Sequence, residues 1–115
     1  MSYDLRILVK VEGCDDLLQW RTPKYDSPTY NLRDMFVACM DWDYEQGKAY
    51  NCADVIHNVE RGIRELRTHR KDYKRLNPPN GWGNIDSAIK VLESLRECIY
   101  DCAEEVPIEH LWMRW

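Results

Sequence analysis

Four groupings of side chains in this sequence have types and spacings suited to chemistry. The first combines sulfur and imidazole. Cys98 and Cys102 stand one helical turn apart, and with Cys52 and His57 they supply the donor types of a zinc site. Zinc sites usually draw their ligands in tighter pairs, however, and the five cysteines, Cys14 and Cys39 included, form no compact disulfide framework. In a reducing compartment such thiols serve as small apolar residues, and no metal or other cofactor is expected. Cys52 and His57 also fail as a nucleophile and its base, because a five-residue step along a helix turns them to different faces.

The second grouping is oxygen: Asp41, Asp43 and Glu45 could hold a divalent cation. They lack the glycine turn and ligand count of a calcium loop and read as a solvated helix end. The three histidines, His57, His69 and His110, lie in no hydrolase elbow, metalloprotease helix or kinase-type set, and no glycine-rich phosphate loop is present. The expectation is a protein that binds and does not catalyse.

The remaining two groupings are stripes of charge. Residues 61–75 carry seven cations (Arg61, Arg64, Arg67, Arg70, Lys71, Lys74 and Arg75) against Glu65 and Asp72. Residues 93–109 carry six carboxylates, among them Asp101, Glu104 and Glu105, against Arg96 alone. Near the basic stripe, Trp82 stands between Gly81 and Gly83. An indole beside guanidinium groups suits a nucleotide base with its phosphates, or an acidic protein loop. The acids fall where a helix should end, facing the wrong pole of its dipole, so a cation from another element or from a partner must compensate them.

The elements that carry these groups follow from periodicity. Leu5, Ile7, Val9 and Val11 alternate with polar residues as a half-buried strand, Gly13 turns the chain, and Leu18, Trp20 and Thr22 complete a hairpin. After the Pro23–Thr29 loop, a first helix starts near Asn31 with Leu32, Met35, Phe36, Cys39 and Met40 on one face, and Gly47 as its stop. A second helix opens at Asn51, buries Val55, Val59, Ile63, Leu66 and Tyr73, and ends before Pro78 and Pro79; Gly62 marks a close neighbour. A third starts near Asn84 or Asp86, with an apolar face from Ile85 to Ala103, and stops at Pro107. Leu111, Met113 and Trp115 alternate as a closing strand beside the first. The expected architecture is a single α+β domain over residues 1–115: a small antiparallel sheet packed by three helices, in the order β-β-α-α-α-β. The short connection between helices two and three makes them antiparallel and sets Arg67 near Glu93 and Arg64 near Glu97.

Bulk composition agrees with one core. The chain has 115 residues, 44% hydrophobic and 31% charged, with a net charge of -4 that argues against general nucleic-acid binding. No apolar run approaches the ~20 residues that cross a bilayer. The alternating N-terminal stretch does not read as a signal peptide, so a cytoplasmic location is expected. Five tryptophans and seven tyrosines against a single phenylalanine favour surfaces packed at one end and wet at the other.

The stretches YDSPTYNLRDMF, CMDWDYEQG, RGIRELRTHR, NPPNGWG, LESLREC and EHLWMRW resemble a group of small accessory proteins carried by phages and other bacterial mobile elements, over most of the chain from about Tyr25. The resemblance implies an accessory or counter-defence factor, anti-CRISPR-like in kind, that occupies the surface of a host protein. On this reading Asp101, Glu104 and Glu105 fill a basic groove that normally takes nucleic acid. Two alternatives stand beside it. One is a nucleotide sponge or sensor using Trp82 with the Arg64, Arg67, Lys71, Lys74 and Arg75 stripe. The other is a structural homodimer formed through the aromatic tail.

Overall fold

The computed structural model describes residues 2–81 and 83–115. It is α+β, with strands β1 (Arg6–Val9), β2 (Leu18–Arg21), β3 (Ala49–Asn51) and β4 (Leu111–Arg114), and helices α1 (Arg33–Met40), α2 (Cys52–Thr68), α3 (Arg70–Lys74) and α4 (Ile85–Ala103). The sheet is antiparallel throughout, in the order β2-β1-β4-β3. The expected hairpin and the closing strand beside it are both present. Arg6, Ile7, Leu8 and Val9 pair with Arg114, Met113, Trp112 and Leu111. Ile7, Leu111 and Met113 are buried on the helix side, so β4 belongs to the core.

The expected element order needs correction at three points. A fourth strand, β3, completes the sheet at the edge beyond β4. The first helix also ends well before Gly47. Asp41 adopts a left-handed conformation (φ 52°, ψ 47°) and stops α1 after Met40. An Asp tolerates this conformation better than most side chains, because its short polar group can bond locally.

Asn51 does three things at one position. It closes β3, its side chain accepts from the Ala53 backbone N–H at 2.9 Å to cap α2, and its Nδ2 donates to the Glu109 carbonyl at 2.8 Å. The second helix is not continuous to the prolines. His69 (φ -118°, ψ 44°) breaks it, and the short α3 follows. Glu65 ties this break together, accepting from the Tyr73 hydroxyl at 3.1 Å and facing Arg61 and His69 at 3.6 and 3.5 Å. Asn84 then caps α4 through the Ser87 N–H.

Gly62 lies on the buried face of α2, where α1, α2 and α4 meet. A Cβ placed there would stand 2.7 Å from Met40 Cγ, 2.9 Å from Leu92 Cδ1 and 3.2 Å from Cys39 Sγ. The close neighbour that the sequence implies is therefore two helices at once. Overpacking of this kind costs about 1–3 kcal/mol, against roughly 1 kcal/mol gained in helix propensity by alanine over glycine. Gly62→Ala should lower the urea midpoint by a net ~1 kcal/mol of stability, and Gly62→Val by more. A rise in midpoint would show that Met40 and Leu92 yield freely.

Candidate functional site

The exposed face of α4 near its C-terminus is the first candidate. Glu97, Tyr100, Asp101 and Glu104 follow the three-and-four spacing of one helical face, and all four are exposed. The apolar residues Leu95, Cys98, Ile99 and Cys102 turn inward, so burial of one face forces the other outward. Tyr100 is 45% exposed, and its hydroxyl donates to Glu60 on α2 at 2.8 Å. An exposed phenol thus shares this face with Glu97, Asp101 and Glu104 and reaches Glu60 on α2. The sequence reading placed the acids here but passed over Tyr100.

Electrostatic compensation at this end is partial. Arg21 of β2 pairs with Glu105, while its guanidinium also lies 4.6 Å from the Trp20 ring. Arg21 and Lys24 line a shallow hollow of about 300 Å³ together with Glu97 and Asp101. Glu97, Asp101 and Glu104 make no hydrogen bond or ion pair through their side chains among the described residues, and the last turn of α4 holds no basic residue. Of the acids singled out from the sequence, Glu105 is internally neutralised, whereas Asp101 and Glu104 are not.

The basic stripe is taken up more fully. Arg67 bonds Glu93 at 2.5 Å as expected, and Arg70 bonds Asp86 at 2.9 Å. The expected Arg64–Glu97 pair is absent. The two cross-helix bonds, Glu60 to Tyr100 and Arg67 to Glu93, set a register that places Arg64 opposite Arg96 instead. Arg64, Lys71 and Lys74 are exposed with no side-chain partner among the described residues. Arg75 uses only Nε, which donates to the Asp72 carbonyl at 3.0 Å. Trp82, the aromatic expected beside these cations, lies outside the described residues.

Arg75 instead faces a cleft that the sequence did not reveal. Its walls are the start of α1, with Tyr30 and Arg33, and the 75–80 turn, with Asn77 and Pro79. Arg33 pairs with Asp43 at 2.9 Å and lies 5.0 Å from the Tyr44 ring. Asp43 is therefore an ion-pair partner, and Asp41 is the helix stop. Among the described residues no cluster of three or more histidine, cysteine or acidic groups is arranged to hold a metal ion. In the aromatic tail Leu111, Met113 and Trp115 are buried and Trp112 is half-buried.

Compared with known proteins, the chain matches no family model, no curated protein and no solved structure. Among the described residues, no helix is long and apolar enough to cross a membrane.

Cys39, Cys52, Cys98 and Cys102 are buried, and His57 is exposed. Desolvation raises the thiols of Cys39, Cys52 and Cys98 from 9.0 to about 12, with Cys102 adding to the effect on the latter two. Neutral thiols of this kind are poor nucleophiles. The unfolded chain ionises them above about pH 9 while the fold holds them neutral, so their stabilising contribution is complete below pH 9 and falls as pH rises toward 12. Urea unfolding under a reductant should lose roughly 1 kcal/mol per thiol between pH 8 and pH 10, and Cys98→Ala should lose about one such increment less. Equal losses in both proteins would mean that Cys98 ionises freely in the fold.

Proposed function

We propose that the protein is a non-catalytic binding module that captures a basic surface of another protein through the outer face of α4. The observation that supports this is exposed Tyr100 on one helical face with Glu97, Asp101 and Glu104, its hydroxyl bonded to Glu60, while those three acids make no side-chain bond among the described residues. Aromatic anchors in the middle of a polar patch carry most of the energy in protein interfaces. Complementary charge around them steers the encounter and rejects wrong partners. Asp101 and Glu104 also oppose the helix dipole, an arrangement that folding alone does not favour.

A host-directed accessory factor, the context implied by the sequence resemblance, would use such a face to occupy a groove that otherwise takes nucleic acid. Occupancy needs no chemistry, only carboxylates spaced to meet Lys and Arg, and α4 carries them one turn apart.

The combined Glu97→Lys, Asp101→Lys, Glu104→Lys variant and the single Tyr100→Ala variant test this. Immobilised wild-type chain should retain strongly basic proteins from a bacterial lysate and release them in high salt, and both variants should lose them. The charge-reversed chain should fold at least as stably as wild type, each of the two terminal substitutions adding about 0.3–1 kcal/mol by meeting the helix dipole. Retention of the same proteins by both variants would overturn the assignment.

A further inference from the structure

We infer that the cleft between the start of α1 and the 75–80 turn is a second binding site, and that it takes a mononucleotide. Its volume is about 600 Å³, within the range of small-molecule sites. On the far side of Tyr30 and Arg33 lies a smaller hollow of about 330 Å³, bordered by Tyr3 and Tyr44, so these two residues stand as a divider reached from both sides.

Two arginines from separate elements, Arg33 and Arg75, line the cleft. Arg33 places Nη2 on Asp43, and its guanidinium lies 5.0 Å from the Tyr44 ring, which fixes it in the wall between the cleft and the smaller hollow. Its positive charge on that wall favours an anion in the cleft. Arg75 is held through Nε on the Asp72 carbonyl, which leaves both of its Nη groups for an incoming acceptor. Two arginine forks on opposite walls suit a single tetrahedral anion better than a line of spaced carboxylates.

The rest of the lining suits a base. Tyr30 is 40% exposed, and its ring is held at 5.3 Å from that of Tyr3, so it is both open and fixed. Bases stack on such rings without needing a particular sequence of contacts. Pro78 and Pro79 supply an apolar surface in the same cleft. Asn77 spends its Oδ1 on the Ile85 N–H, which leaves its amide hydrogens for a ligand acceptor. Asp34 adds one carboxylate to the wall, an acceptor for a sugar hydroxyl or a ring amine.

The test is calorimetric titration of the full chain with the four ribonucleoside monophosphates, with inorganic phosphate and adenosine as fragments. At least one nucleotide should bind, and each fragment should bind at least tenfold more weakly. Arg75→Ala and Tyr30→Leu should each weaken that nucleotide at least tenfold while leaving the unliganded melting temperature within a few degrees. Absence of binding by all four nucleotides at millimolar concentration would overturn the proposal. So would phosphate alone binding as tightly as a nucleotide, or unchanged affinity in Arg75→Ala. The charge-reversed α4 variant should bind the nucleotide normally, which separates failure of this site from failure of the α4 face.

Discussion

Trp115 stacks on Tyr44 at 4.5 Å and 15°, with the rings of Tyr3 and Phe36 at 5.3 and 5.2 Å, and only 2% of it remains exposed. One indole therefore joins the segment before β1, the buried face of α1 and the loop after it. Burying a side chain of this size removes some 200 Å² from water, worth about 5 kcal/mol on area alone. It also fixes where β4 must lie, since Trp115 directly follows the strand that runs between β1 and β3. The sheet is thus assembled from segments far apart in sequence, whereas the α2–α4 pair closes locally. Loop-closure entropy makes the first kind of contact the slower to form, so the helical pair is the natural early element on which the sheet completes.

Once β4 is central, the outer surface follows. The helices bury Val59, Leu66, Leu92 and Leu95 toward the core and must turn their charged faces to solvent. Because α2 and α4 run antiparallel, the basic end of one meets the start of the other, and Arg67 and Arg70 find Glu93 and Asp86. The same geometry carries the final turns of α4 away from those cations. Arg21, brought in by β2, pairs with Glu105 at that end, and Lys24 shares a hollow with Glu97 and Asp101 without bonding either among the described residues. The excess of carboxylates there is a consequence of where the fold places its cations, and folding leaves it unrepaired.

Most of the fold was legible in the sequence, and what was not has specific causes. Alternation in β1 and β4 and the polar caps Asn51 and Asn84 carry their own signals. The three residues of β3, all half-buried, show no alternation, and only their pairing with β4 makes them a strand. The stop at Asp41 hides because an aspartate there announces a left-handed turn less plainly than the glycine at 47. The break at His69 involves neither proline nor glycine and depends on the Glu65 contacts. At the sites, charge was readable and surroundings were not. Asp101 and Glu104 declare themselves by sitting at the wrong end of a dipole, whereas Tyr100 beside buried Ile99 looks like any helical aromatic until its exposure is known. The Arg33–Arg75 cleft joins residues 42 positions apart in sequence, and no local pattern links them.

The cleft and the acidic face sit toward opposite ends of α4. Asn77 of the cleft binds the Ile85 N–H in the first turn, and Glu104 follows the last. Nineteen helical residues at 1.5 Å each separate them by about 28 Å. A rigid helix between two sites transmits nothing by itself, because coupling requires an element with two packings whose balance both ligands shift. The helix packs on α2 through its apolar face, with Leu92 seated against Gly62, and close packing of this kind resists sliding. Occupancy of the two surfaces should therefore be additive: a molecule held at the Tyr30 cleft leaves the Tyr100 face free to engage its partner with unchanged affinity.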